Sequence, residues 1–463
     1  MSTTAFATQT TRGWARTAST LKLGSESLAA LLWTIAQKSF ASGGASDILR
    51  GDQMAAGTLS LSDSATPMNI HVSVRHASPI FGAACAIALA VDPSSAQHSP
   101  LPNVPPIKIE LVSPVAIPMR VFDQTRPGID VMINGRGPFL LAVETGGPFG
   151  VILDAKVADA LKLKPPSDGS DPLRSIESLQ IGPLALRNVT AFVRDGTGLI
   201  GVDGMLGLST FKELVLTVDY PRRQIRLEPD SLPAPNGRDI VPLIRTGMGG
   251  MLIGVQSDFA GKPVKLVIDT QGGTTVMCGP DAAEEFSFAT PAVVAGQASI
   301  GGANGPGVAV TSARLKGDVR FGGVTVQRPI VNVAPLGPIE CIIGTELLSN
   351  FSMTVDQKTM RARFSGNPIV PPPPSQYTLG LSVSPDTVGA FRVRTVRPGV
   401  AADAAGMRVG DEIVEVEGKA AGLETAGPSA LRRLAAGGRS IRLKVRRDGR
   451  LFDVEVKPRR TIE

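Results

Sequence analysis

The sequence is poor in imidazole. Of 463 residues only three are histidine, His71, His76 and His98, and all precede the first segment that reads as a folded unit. That scarcity excludes a Ser-His-Asp or Cys-His nucleophile system from the body of the chain, and histidine-ligated zinc with it, because each needs imidazole as base or ligand. Carboxylates remain as the principal acid and base groups. Cysteine is equally scarce: Cys85, Cys278 and Cys341 show no metal-binding spacing, and at most one disulfide can form among them. No metal and no cofactor is expected. Aromatic residues make up only 4% and the net charge is +6, which supplies neither the stacking platform nor the basic surface of a nucleic-acid binder.

What is abundant points to β structure. Hydrophobic residues reach 43%, with 51 glycines and 37 prolines, a turn-rich and strand-prone composition, and the length suggests roughly three domains. From Met68 the chain carries Arg75, an apolar run from Ile80 to Val91, and the small residues Ser94 and Ala96. This is the layout of a secretory signal peptide over 68–96, too short to span a bilayer. We therefore expect export to the periplasm or the exterior, a true start at Met68, cleavage after Ala96, and no stable membrane span afterwards. Residues 1–67 read as a disordered extension or a start codon placed too early, and 97–118 as a linker.

The middle of the chain repeats itself. Glu144-Thr145-Gly146-Gly147-Pro148-Phe149-Gly150-Val151-Ile152-Leu153 matches Asp269-Thr270-Gln271-Gly272-Gly273-Thr274-Thr275-Val276-Met277-Cys278 without gaps, and each acidic residue ends an apolar hairpin. Downstream, residues 181–193 face 321–333, and 203–228 face 340–365. The offset grows from 125 to 137 residues, which places extra length in the Gly-rich stretch around Gly301 to Gly307. Two strand-rich units follow, 119–231 and 238–366, then a Pro-rich linker at 367–376.

These residues resemble the retropepsin-like aspartic proteases, and in particular bacterial proteins that pair such domains with a PDZ domain. The family motif is D-T-G-A/S with a later apolar-apolar-Gly triplet, matched here by Met205-Leu206-Gly207 and Ile342-Ile343-Gly344. The resemblance implies a mostly β protein, with two β-barrel lobes forming a pepsin-like pseudo-dimer and an α+β PDZ-like domain at the C-terminal end. It implies Asp269 and Glu144 as a catalytic dyad supported by Thr145, Gly146, Thr270, Gln271 and Gly272. Two like charges held close cannot both ionise, so the pair shares a proton, as the aspartic proteases themselves exemplify. Glutamate at 144 and glutamine at 271 depart from the motif. The family fold also brings Cys278 near Cys341, where they could pair in an exported protein.

Residues 377–460 resemble the PDZ domains of periplasmic proteases, through YTLGLSVS and VRPGVAADAAGMRVGDEIVEVEG. The resemblance implies capture of a peptide C-terminus by strand addition, with the Gly380 and Leu381 N–H groups on the carboxylate and Leu379, Leu381 and Val383 bordering the pocket. Arg442, Lys444 and Arg446 alternate on one strand face and read as a solvated surface. The expected function is a monomeric, exported aspartic-type endopeptidase acting on polypeptides. A catalytically inactive peptide-binding or envelope adaptor on the same scaffold is the alternative.

Overall fold

The computed structural model describes residues 107–462 apart from 112, 167–171, 195–200, 300–306, 373–374 and 387–388, and ahead of 107 only the backbone of short strands. The chain divides into two compact units, 1–105 with 165–171, and 106–164 with 172–463. In the first, Ala56–Asp63, Thr66–Val74 and Ile87–Ala90 pair antiparallel. Ser2–Thr3 pairs with Leu21–Lys22, and Ala5–Ala7 with Ala56–Asp63; the rest of the proposed extension and export segment lies outside the described residues, as does nearly all of the Gly-rich loop.

The second unit holds both repeats. In the first lobe the strands Arg126–Ile133 and Arg136–Glu144 form a hairpin through Asn134 and Gly135, whose φ values of 50° and 72° are those of the tight turn that follows a strand pair's natural twist. Leu252–Phe259 and Lys262–Ile268 repeat this through Ala260 and Gly261, at 53° and 92°. Each hairpin's second strand runs parallel to the strand of its triplet, with Glu144 opposite Gly207 and Ile268 opposite Ile343. The strands that follow the acidic loops, Val151–Asp154 and Val276–Cys278, cross the same triplets antiparallel. Strand pairing is therefore the same in the two lobes.

The lobes join through equivalent strands near their C-terminal ends. Val215–Asp219 pairs antiparallel with Phe351–Asp356, setting Thr217 opposite Thr354, its own repeat equivalent, with the two hydroxyls 2.9 Å apart. A local twofold axis passes between them. One hydrophobic core continues beneath both lobes, including Phe211, Leu216, Phe351 and Met353.

Two expected linkers are partly sheet. Lys108–Glu110 pairs with Leu184–Arg194, and Val115–Pro118 pairs with Gln224–Glu228, so the segment 97–118 supplies strands to the first lobe from 108 onward. Ile369–Val370 runs parallel to Val324–Val326 at an edge of the second lobe, where neighbouring prolines withhold no needed donor. Strands of two to four residues are too short to show a period in sequence.

The C-terminal unit is a separate α+β module. Its main sheet has the order Leu381–Pro385, Phe391–Val396, Glu412–Val416, Ile441–Arg447, Arg450–Val456, and its own core contains Val393, Ile413, Leu431, Leu443 and Val445. Gln376–Thr378 pairs with Arg459–Ile462 to close it. Arg442, Lys444 and Arg446 pair with Glu417, Glu415 and Glu412, the ion-paired solvent face expected of them.

Candidate functional site

The two acidic loops meet at the lobe interface. Thr145 and Thr270 are buried there and exchange reciprocal bonds: Thr145 N–H donates to Thr270 Oγ1 at 3.1 Å, and Thr270 N–H donates to Thr145 Oγ1 at 3.2 Å. Each hydroxyl then donates across the interface to the carbonyl two residues before the opposite threonine, Thr145 to Ile268 at 2.8 Å and Thr270 to Val143 at 2.6 Å. Every donor in this buried lattice is spent, which fixes the loops against each other.

The lattice brings Glu144 and Asp269 together. Gly146 touches both: its N–H bonds Glu144 Oε1, and a Cβ placed on it would lie 2.6 Å from Asp269 Cγ. Asp269 Oδ1 accepts from the N–H groups of Gln271 at 2.8 Å and Gly272 at 2.7 Å. The triplet glycines seat the loops from behind. A Cβ at Gly207 would meet Phe149 O at 1.9 Å, and one at Gly344 would meet Gly272 O at 2.3 Å, so no larger residue fits either place.

Electrostatics follow from this burial. Desolvation holds the Glu144 carboxyl well above the usual carboxylate range, and the neighbouring Asp269 charge adds to the rise. Burial raises Asp269 as well, opposed by the N–H groups of Gln271 and Gly272. Arg126 pulls both carboxyls down. Burial thus pushes both carboxyls toward the protonated form.

Gln271 does not crowd the carboxyls. Its amide turns into the interface, where Nε2 donates to Val143 O at 2.8 Å and Pro127 O at 3.2 Å. Three residues near the dyad had no sequence signal. Arg126 faces Met251 in the repeat, so no symmetry marked it, and it pairs with buried Asp123 at 3.2 Å. Tyr220 is buried beside the pair, its hydroxyl without a hydrogen-bond partner and its phenol pushed far up by burial and by the two carboxyls. Among the described residues no three His, Cys, Asp or Glu side chains cluster as a metal site, and no helix is long and apolar enough to cross a membrane.

The C-terminal module rests on both lobes beside this site. Ser429 Oγ donates to Asp123 Oδ2 at 3.0 Å, Gln124 Nε2 donates to Glu424 Oε2 at 3.1 Å, and Arg432 Nε pairs with Glu346 at 2.8 Å. Ser429 and Arg432 belong to the helix Pro428–Ala436, so one short helix touches the Asp123–Arg126 pair on one side and the second lobe on the other.

Comparison with known families agrees with this division. Residues 255–347 match the model of the aspartyl protease family, and residues 392–447 match that of the PDZ domain. The chain carries an aspartyl-protease-like domain and a PDZ domain. Among solved structures, the aspartic proteinase from Irpex lacteus is similar at 15% identity over 55% of this chain and 97% of its own, with a TM-score of 0.37. A retropepsin-like aspartic protease from Rickettsia conorii is similar at 15% identity over 27% of this chain and 96% of its own, with a TM-score of 0.20. The HtrA3 PDZ domain bound to a phage-derived ligand is similar at 18% identity over 19% of this chain and 90% of its own, with a TM-score of 0.18. No curated protein sequence matches the chain.

Within the PDZ domain the four expected peptide-binding residues divide. Leu381 is half-buried at the start of the edge strand Leu381–Pro385, whereas Leu379 and Val383 are turned into the domain's own core. Gly380 sits at φ 74° with its N–H bonded to Thr378 Oγ1 at 3.1 Å, so this N–H is already engaged rather than waiting for a carboxylate.

Proposed function

We propose that the chain is an exported aspartic-type endopeptidase that binds polypeptide between its two lobes and recognises peptide ends through its PDZ domain. The observation that carries this reading is the threonine lattice, which holds the buried Glu144 and the half-buried Asp269, from equivalent strand ends, against the same glycine. In this reading the pair shares one proton, which Glu144 carries when the peptide is attacked. Asp269, stabilised as the anion by two N–H groups, accepts a proton from water as the water oxygen bonds the peptide carbon. Glu144 meanwhile donates its hydrogen to the carbonyl oxygen. Collapse of the tetrahedral diol breaks the C–N bond: the proton taken by Asp269 passes to the leaving amine, and one diol hydroxyl returns its proton to Glu144 as the carboxylic acid forms. No covalent intermediate is formed.

Arg126 favours the alternative of a non-catalytic peptide binder, because a cation that lowers both carboxyls works against keeping one of them protonated. Digestion of a peptide library across acidic and neutral pH separates the two readings. The endopeptidase gives a bell-shaped rate profile that is lost in Asp269→Asn. Peptide binding without cleavage at any pH establishes the alternative, and cleavage that survives Asp269→Asn overturns the dyad.

A further inference from the structure

The edge strand of the PDZ domain has a neighbour from another part of the chain. Val293–Ser299, the outermost strand of the second lobe's sheet, runs beside both Leu381–Pro385 and Arg459–Ile462. It pairs with Gly307–Arg314 to form a hairpin. Ser312 in that hairpin is hydrogen-bonded to Asn332 at 2.6 Å, and Asn332 donates to Thr274 Oγ1 at 2.9 Å, in the loop that begins at Asp269. The base of the hairpin therefore carries both ties, since Ser312, linked to the acidic loop, pairs with Val293, next to the residue that meets the PDZ domain.

The link to the PDZ domain is specific. Arg397 follows the second strand of the PDZ sheet, and its N–H donates to Gly380 O at 2.7 Å, which holds this residue beside the Leu379–Leu381 turn. Its guanidinium donates to the carbonyl oxygen of Val294. A guanidinium given only a neutral carbonyl forms a weaker interaction than one given a carboxylate, where the bond is charge-assisted and can be bidentate. The Gly380 N–H, committed to Thr378, leaves the turn short of one donor for an anion.

We propose that Arg397 is the carboxylate-binding residue of the PDZ groove, and that the Val294 carbonyl is its internal partner, the Val294 side chain itself staying exposed. A peptide with a free C-terminus adds to Leu381–Pro385, takes Arg397 from Val294, and so detaches the second-lobe hairpin from the PDZ domain. The apolar side chain of Leu381 favours an apolar last residue. This rests on the peptide-binding reading of the PDZ domain and is independent of whether the dyad hydrolyses anything.

The test uses the full chain and heptapeptides selected from a library ending in valine, each made with a free C-terminus and as the amide. Hydrogen exchange is followed at two places. Bound free-acid peptide should slow exchange at Leu381–Pro385 and speed it several-fold at Val293–Ser299. Arg397→Gln should speed exchange at Val293–Ser299 without peptide, and should weaken free-acid binding by about 10- to 100-fold while changing amide binding little, since hydrogen bonds to a charged group are the stronger kind. Arg397→Lys, which keeps the charge, should retain part of the free-acid preference and guards against a simple folding defect. Protection at Leu381–Pro385 with unchanged exchange at Val293–Ser299 overturns the proposal while leaving the peptide-binding reading intact. Equal affinity of acid and amide overturns the role of Arg397. If no peptide protects Leu381–Pro385, the peptide-binding reading falls and the proposal falls with it.

Discussion

The acidic loops of the two lobes share a backbone scheme and differ in what fills it. The first reads Glu-Thr-Gly and the second Asp-Thr-Gln, so the longer carboxylate faces the residue with a side chain and the shorter one faces glycine. The geometry gives the reason. Gly146 lies against the Asp269 carboxyl so closely that a Cβ would sit 2.6 Å from its Cγ. Gln271 holds the equivalent place and does carry a Cβ, which by the local twofold would press on an aspartate at 144. One extra methylene in Glu144 moves the carboxyl outward. The two departures from the family motif are thus a matched pair, and Gln271 adds a bond to Val143 that Gly146 cannot make.

The hardest test of that asymmetry is to make the loops alike. Gly146→Ala should cost about 1 to 3 kcal/mol of stability from overpacking, and peptide hydrolysis should fall at least about 100-fold from misplacement of Asp269. Gln271→Ala should show neither effect at that size. Urea melts and cleavage rates measure both, and equal tolerance at the two positions would break the comparison.

A second contrast lies one strand further on. Cys278 and Cys341 are directly opposed and disulfide-bonded, while the equivalent positions in the first lobe are Leu153 and Gly204, with the leucine side chain lying over the glycine. Cys278→Ser with Cys341→Ser should cost about 2 to 4 kcal/mol. Hydrogen exchange should quicken in the second lobe and stay unchanged in the first; a uniform increase would argue that the lobes unfold as one.

A double-mutant cycle then addresses the matched pair. Glu144→Asp and Gln271→Gly should each lower activity or stability, and together should recover most of the loss, with a coupling of about 0.5 to 3 kcal/mol. Simple additivity would separate the two residues.

The smallest effect concerns pH. The folded-state pKa of Glu144 is raised, so between the ordinary glutamate range and that raised value the folded state holds more protons than the unfolded one, and stability falls as pH rises through that window. Glu144→Gln removes this dependence. Urea melts should find the variant more stable at pH 7, by on the order of 1 kcal/mol, and should find no difference near pH 3.

Much of this was readable from the sequence because the repeat supplied an internal comparison. Thr145 and Thr270 stood at equivalent places, and the triplets predicted which strands would flank them. What sequence missed has two physical causes. Arg126 and Tyr220 act on the dyad, and Asp123 pairs with Arg126, from strands and turns whose partners are set only by tertiary packing. The edge strands at 108–118 are too short to carry a hydrophobic period. The direction of the Gln271 amide and the engagement of the Gly380 N–H are matters of side-chain rotamer and local bonding, on which residue identity is silent.

The disulfide closes a covalent ring whose ends are 63 residues apart in sequence, and the hairpin formed by Val293–Ser299 and Gly307–Arg314 lies wholly inside it. A nick at any peptide bond within that ring cuts the chain without parting the pieces. The segment that approaches the PDZ edge could therefore be severed by a passing protease, or by the protein itself, and a nonreducing gel would still report one intact molecule. Only after reduction would the wound show.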